Sequence, residues 1–289
     1  MNCSLEITTM IGCPLLCSIC PQDKLKSVYA GDKYLTIDNF KIVIDKLPLD
    51  VRIIFSGYSE AWANPHATQM LEYALEKNFN VDVFTTLYGM TDVDKVIHLI
   101  QRHKAQIGQI WLHLPDRDNN MLGYKENIEY KKCLKKFLVL NPYLMTMSDS
   151  NSVHSSLDEF NLTLSDWKFH TRAENIKRSD KNVKLNNAFN NEFMVECVRN
   201  NHLTDNVLLP NGNVTLCCMD YNNKHILGNL LTQTYNEVIG NVAEIKRKNH
   251  ILFDKSTLCR TCQDTYHKTP WNDEEVHQRI LMIDKDFRL

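Results

Sequence analysis

The sequence predicts an α/β protein, a partial (β/α)6 barrel followed by a small C-terminal α+β domain. Three observations carry that expectation. Short β-rich runs alternate with stretches of helical periodicity through the first half, the pattern of βαβ units around a parallel sheet. The chain is 289 residues long and 43% apolar, enough to bury a full core in one large domain with a smaller one beside it. Near Ser179 the texture changes: Asn and Lys become frequent, runs shorten, and the later cysteines follow. We therefore expect a barrel domain over 1–178 and a second domain over 179–289, with the boundary between Asn175 and Asn190.

The elements follow in order. Residues 5–9 read as a first strand that feeds a cysteine-rich loop. Thr36 suits a helix N-cap, and Ile37, Phe40, Ile44 and Leu47 repeat at helical spacing behind it. Residues 51–55 form a second, buried strand. Pro65 suits a helix start ahead of Met70, Leu71, Ala74 and Leu75. Residues 81–85 form the third strand, and Thr91 is the expected cap of a helix carrying Val93, Val96, Ile97 and Ile100. Residues 109–114 make a fourth strand, and a helix over 128–138 returns to a fifth at 144–148. A sixth unit is expected in the irregular stretch 162–170. Crossovers of this length favour right-handed β/α winding.

Composition narrows the function. A formal net charge of -2 and a pI near 6.6 give no basic face for nucleic acid. Lys131, Lys132, Lys135 and Lys136 have the spacing of a solvated helix face. No stretch reaches the roughly 18 apolar residues of a membrane span, and the start MNCSLEITTM lacks the form of a signal peptide. A cytoplasmic location is the expectation, and ten clustered cysteines then point to metal ligation rather than disulfides.

The cysteines fall into two sets. Cys13, Cys17 and Cys20 stand as C-x3-C-x2-C directly after the first strand, where loops at strand C-termini carry function in β/α barrels. A [4Fe–4S] cluster held by three thiolates keeps one iron open to a small molecule. Structural zinc, the alternative, prefers paired cysteines and closed four-fold coordination. The later set is Cys197, then Cys217 in a G-x4-C unit, then Gly228-Asn229, then Cys259 and Cys262 in C-x2-C. Four thiolates complete one closed cluster, or alternatively a zinc ribbon. Cys133 sits at core-filling helical spacing, and Cys3 and Cys218 have no assigned role.

With Ile19 before its third cysteine, the first set resembles the C-x3-C-x-Φ-C signature of the radical S-adenosylmethionine (SAM) enzymes. The C-terminal order resembles the SPASM/Twitch extension, and the lack of a cysteine after Cys262 suggests its short, single-cluster form. The resemblance implies that SAM chelates the open iron, that an electron cleaves its sulfur–carbon bond, and that a 5′-deoxyadenosyl radical abstracts a hydrogen atom. An external one-electron reductant such as flavodoxin or ferredoxin is implied too. Phe55-Ser56-Gly57-Tyr58-Ser59-Glu60-Ala61-Trp62 resembles the family's Gly-Gly-Glu-Pro segment, with Tyr58 and Ser59 where a glycine is usual and Ala61 in place of proline. It implies SAM contacts from Gly57, Ser59 and Glu60, with Glu60 pairing with the SAM ammonium. Thr85-Thr86-Leu87-Tyr88-Gly89 resembles a Thr-x-Gly turn that adds Thr86 to the cofactor contacts.

Three substrate contacts are expected on the same rim. His113 and Asp116 lie at the fourth strand's end, although His113 also suits a buried core position. Arg172, in His170-Thr171-Arg172-Ala173-Glu174-Asn175, resembles a segment whose arginine reaches the SAM carboxylate or the substrate. The favoured reading is dehydrogenation of a small polar molecule (a sugar, aminocyclitol or nucleotide sugar), with the auxiliary cluster accepting an electron. The early position of the cysteine loop leaves no preceding peptide-recognition domain. Modification of a peptide or protein is the alternative, and a non-catalytic Fe–S or zinc scaffold is the reading from another class.

Overall fold

A computed structural model of the protein describes residues 3–148, 150–166, 171–173, 175–176, 194–199, 203–250 and 254–268. The alternating half folds into β1 (Ser4–Ile7), α1 (Gln22–Val28), α2 (Ile37–Ile44), β2 (Arg52–Phe55), α3 (Ala67–Glu76), β3 (Val81–Thr85), α4 (Val93–Arg102), β4 (Ile107–His113), α5 (Ile128–Phe137) and β5 (Tyr143–Met145). The later segment supplies β6 (Met194–Cys197), β7 (Asp205–Leu208), β8 (Asn213–Thr215), β9 (Ile226–Asn229), α6 (Tyr235–Gly240), α7 (Val242–His250) and β10 (Thr265–Lys268).

The result is a mixed α/β fold on a mostly parallel sheet. Its eight strands run in the order β5-β4-β3-β2-β1-β7-β8-β9. Pairing is parallel from β5 through to β7 and antiparallel across β7, β8 and β9. A separate antiparallel pair joins β10 to β6. β7 lies directly against β1, with Leu5 opposite Asn206 and Ile7 opposite Leu208, so the later segment continues the sheet of the first half.

Period-two alternation gives the strands two unlike faces. Leu5, Ile7, Ile53, Phe55, Val83 and Leu112 are fully buried in the main core, where the helices lay the apolar residues Phe40, Met70, Leu71, Val96 and Phe137. The opposite face carries Glu6, Ile54, Phe84, His113 and Met145, which line a cavity. Helix ends follow local chemistry: the Thr36 side chain accepts from Asn39 N at 3.1 Å, and Thr234 and Glu237 form a reciprocal capping box at α6.

Three sequence expectations shift. α4 starts from Asp92, which makes no side-chain cap bond, so Thr91 is not its cap; the Asp92 carboxylate instead accepts from Thr68 at 2.9 Å. α3 starts from His66, whose N–H donates to the Asn64 side chain at 2.9 Å, so Pro65 only precedes it. Residues 162–166 carry no regular element, and 167–170 lie outside the described residues. The sixth parallel strand is β7, reached after the change in texture. No helix among the described residues is long and apolar enough to cross a membrane.

Candidate active site

The first cysteine loop leaves β1 through two buried threonines, and Thr9 Oγ1 donates to the Ala61 carbonyl at 2.8 Å. A turn from Cys17 O to Cys20 N (3.0 Å) shapes the loop, while Ser18 N bonds Asn120 O (2.7 Å) and Gly123 N bonds Leu15 O (2.7 Å). Burial raises the Cys13 thiol to about 11 and pushes Cys17 up as well; Cys17 also feels Cys20 and Cys13, and Cys13 feels Cys20. Such thiols stay protonated until a metal displaces the proton.

The loop after β2 packs against this set. Gly57 has φ +71°, and a Cβ there would collide with Thr8 Oγ1 and lie 2.9 Å from its backbone N; only glycine fits. The Glu60 backbone lowers the Cys13 pKa against the larger effect of burial. Gln22, just past Cys20, donates from Nε2 to the Tyr58 carbonyl. Two atoms beside the set, Ser59 Oγ and Gln22 Oε1, are buried without a hydrogen-bond partner, as a site built to receive a polar ligand requires.

The Glu60 carboxylate lines the cavity and is engaged on both oxygens. Its Oε1 accepts from Trp62 N (3.1 Å) and Thr85 Oγ1 (2.8 Å), and its Oε2 accepts from Thr86 N (2.6 Å) and Thr86 Oγ1 (2.7 Å). Four donors use the roughly four lone-pair positions of a carboxylate. Burial raises its pKa while the Thr86 and Thr85 bonds oppose that shift. Glu60 thus ties the ends of β2 and β3 together, and Thr86 is its partner.

The second cysteine set is assembled from distant pieces. Gly212, at φ +84°, turns β7 into β8 and so delivers Cys217. Asn229 staples that turn, its Nδ2 donating to Asn211 O (3.0 Å) and Asn213 Oδ1 (2.9 Å), which explains physically why glycine and Gly-Asn recur in the pattern. Cys197 ends β6 opposite Thr265 of β10. Thr265 Oγ1 donates to the carbonyls of Cys259 (2.9 Å) and Cys262 (2.6 Å), and the Leu258 N–H donates to His225 Nε2 at 2.9 Å. Burial pushes Cys217, Cys259 and Cys262 upward, Cys259 to about 11. Cys217 feels Cys218, Cys259 and Cys262, and both Cys259 and Cys262 feel Cys197. Cys218 answers to other charges: burial first, then Glu6, push its thiol up to about 12, against Arg199 and Arg172. Among the described residues no three or more His, Cys, Asp or Glu converge closely enough to hold a single metal ion.

All seven of these cysteines line one cavity of about 650 Å³. Gly57, Ser59, Glu60, Thr86, His113 and Arg172 line it too. His113 is held near pKa 4 by burial and the Arg172 charge, so its imidazole is neutral. Arg172 and Ala173 both adopt left-handed φ, +51° and +52°, a strained pair secured by Asn175, whose Nδ2 donates to Arg172 O (2.7 Å) and Met219 O (3.2 Å). His170 and Glu174 lie outside the described residues. Asp116 does not line this cavity; its Oδ1 accepts from Asn120 N and Nδ2, both at 3.1 Å, so it shapes the clamp beneath the first cysteine loop.

Sequence reading passed over Glu6, Arg199, Cys218 and Tyr221, all of which line the cavity. Glu6 had a visible signal, a charge in the middle of an apolar strand, and its Oε2 accepts Gly57 N at 3.1 Å. The others declare themselves only in three dimensions.

Residues 197–263 match the model of the SPASM iron–sulfur cluster-binding domain. The structure of BtrN in complex with AdoMet and 2-DOIA is similar to the whole fold, with TM-score 0.55 and 14% identity over 91% of this chain and 93% of that one. Native anSMEcpe with bound AdoMet gives TM-score 0.52 and 11% identity over 98% of this chain and 97% of that one. Its complex with AdoMet and the Cp18Cys peptide gives 0.53 and 11% over 98% and 96%. Residues 197–263 are thus similar to a SPASM domain, and the chain shares the fold of these AdoMet-bound structures. No curated protein matches it in sequence. Within the SPASM domain, the matched residues begin at Cys197 and take in Cys217, Cys259 and Cys262.

Proposed function

We propose that the protein is a radical SAM oxidoreductase that dehydrogenates a small polar molecule of the sugar, aminocyclitol or nucleotide-sugar type. The observation that carries this reading is the single cavity bordered by both cysteine sets. The residues suit the groups concerned. Cys13, Cys17 and Cys20 would hold a [4Fe–4S] cluster with an open iron, and Cys197, Cys217, Cys259 and Cys262 a closed one. When bound, the first cluster and SAM supply the hydrogen-abstracting chemistry that no side chain provides.

The chain's own part is to bind, orient and keep the cavity dry. Gly57 lets the backbone approach a ligand closely, and the unpartnered Ser59 Oγ offers it a hydrogen bond. Glu60 and Thr86 fix the rim on which that loop stands. Neutral His113 accepts or donates a hydrogen bond without adding charge, and the Arg172 guanidinium suits a carboxylate or a hydroxyl pair. Leu15, Ile19, Leu216 and Leu258 line the walls and limit water. A dehydrogenation needs a second electron acceptor, and the auxiliary set borders the same cavity. BtrN, with bound 2-DOIA, supports the small-molecule reading; anSMEcpe, with a bound peptide, supports peptide modification as the second reading. An external flavodoxin- or ferredoxin-type reductant completes the scheme.

The test is anaerobic incubation of reconstituted protein with SAM and dithionite while deuterated polyols, aminocyclitols and peptides are screened. Deuterium recovered in 5′-deoxyadenosine from a polyol or aminocyclitol, with a product two mass units lighter, supports the proposal. Transfer only from peptides selects the second reading. A protein that binds about eight irons yet never cleaves SAM overturns both.

A further inference from the structure

A buried pair of tyrosines spans the space between the two cysteine sets. Tyr58 belongs to the loop after β2 and Tyr221 to the SPASM domain; they are 1% and 4% exposed. Their ring centroids lie 4.6 Å apart, tilted by 55°. At one end, Tyr221 Oη is 3.7 Å from Cys20 Sγ. At the other, Tyr58 Oη meets Thr215 Oγ1 at 2.9 Å and donates to the Cys217 carbonyl at 2.8 Å. Tyr58 is held in turn by Gln22, which donates to its carbonyl, and by Thr8 Oγ1, which accepts its N–H at 3.1 Å.

We infer that Tyr221 is a hydrogen-bond donor to the Cys20 sulfur, through which the SPASM domain sets the reduction potential of the N-terminal cluster, with Tyr58 as the positioning residue behind it. The inference rests on the reading of Cys13, Cys17 and Cys20 as cluster ligands. Between a thiol and a phenol either atom can donate. A ligating cysteine is a thiolate with no S–H, whereas a phenol, with an ordinary pKa of about 10, keeps its proton at neutral pH. The O–H must then point at the sulfur. Hydrogen bonds to cluster sulfurs draw off electron density and favour the reduced state. The Tyr58 ring, packed on Tyr221 and anchored to Cys217, fixes that donor in place. The tyrosine at a position where a glycine is usual therefore has a role, because glycine would leave Tyr221 unsupported.

The test is redox titration of the anaerobically reconstituted protein followed by electron paramagnetic resonance. The N-terminal signal is identified as the one missing from the Cys13→Ala, Cys17→Ala, Cys20→Ala protein. Tyr221→Phe, which keeps the ring and removes only the hydroxyl, should move the midpoint of that signal to lower potential. Arg172 also acts electrostatically on Cys20, and this variant leaves it in place. Tyr58→Leu should shift the midpoint in the same direction, and Tyr58→Phe, which keeps the ring but loses the bond to the Cys217 carbonyl, should shift it less. A midpoint unchanged by Tyr221→Phe, with both clusters formed, overturns the inference. A second measurement needs no variant: electron–nuclear double resonance of the wild-type N-terminal cluster should show a strongly coupled proton that exchanges in D2O, and its absence is equally fatal. If the wild type forms no cubane at the first set, the failure belongs to the underlying reading instead.

Discussion

The two cysteine sets bring thiols to the same cavity by opposite routes. The first is local: Cys13, Cys17 and Cys20 sit on one loop after β1, and short backbone bonds to 120 and 123 suffice to shape it. The second is wholly tertiary. Cys197 needs β6 paired with β10, Cys217 needs the Gly212 turn, and Cys259 and Cys262 need Thr265 and His225. A local set is specified by spacing, and its loop is finished by two backbone bonds to residues 120 and 123. A dispersed set exists only when the fold around it is complete, so loss of its metal and loss of its fold are linked.

The widest test of this contrast removes each set in turn. Cys13→Ala, Cys17→Ala, Cys20→Ala should abolish SAM cleavage and about half the iron while leaving circular dichroism and thermal unfolding close to wild type. Cys259→Ala, Cys262→Ala should keep SAM cleavage, lose the oxidised product and unfold more readily. Equal loss of stability in both proteins would erase the distinction. Next in size is the choice between neighbours. Cys217→Ala should cost the auxiliary cluster, and Cys218→Ala should retain it, read by iron and sulfide analysis, because Cys259 and Cys262 act on Cys217, whereas Glu6, Arg199 and Arg172 act on Cys218.

Smaller effects probe the walls around the local set. Glu60→Gln replaces one of two acceptor oxygens with a donor facing buried N–H or O–H groups, and should destabilise the protein by about 2–4 kcal/mol, the cost of unsatisfied bonds to a charged group, measured by chemical denaturation. If stability is kept and only SAM affinity falls, Glu60 is a direct ligand after all. A pH-dependent effect of similar size concerns His113. Its folded pKa, about 4, lies below the ordinary value of 6.5, so between those limits the unfolded chain binds the extra proton. Its contribution is intact above about pH 6.5 and is lost as pH falls toward 4, at about 1.4 kcal/mol per unit of depression. His113→Asn should flatten that part of the stability–pH curve. An unchanged slope would place the acid sensitivity elsewhere.

Much of this architecture was legible in the chain itself. Residues 81–85 form the third strand as read, and the other four strands of the first half lie within three residues of their expected ends, because hydrophobic runs and helical repeats are local signals. The spacing of the cysteines is a local signal of the same kind. What escaped was set by distance in sequence. β7 takes the place beside β1 expected of a strand at 162–170, and no local pattern reveals its pairing. The bonds from Thr85 and Thr86 to Glu60 join two strand ends and have no local signal. Asp116 reads as a rim acid until its bonds to Asn120 turn it inward. Tyr58 reads as a departure from a glycine pattern until Tyr221 is placed against it.

The pairing of β7 with β1 also bears on how the protein is made. β1 leaves the ribosome before β7, and one of its two edges has no partner until residues 205–208 follow. Until then that edge displays bare N–H and C=O groups, the kind of surface to which other chains add strands. Synthesis that stops between the halves would leave the edge uncovered, and such a fragment should collect in the insoluble fraction. Any dissection of the molecule into separately produced halves meets the same obstacle, since the seam runs through a hydrogen-bonded sheet.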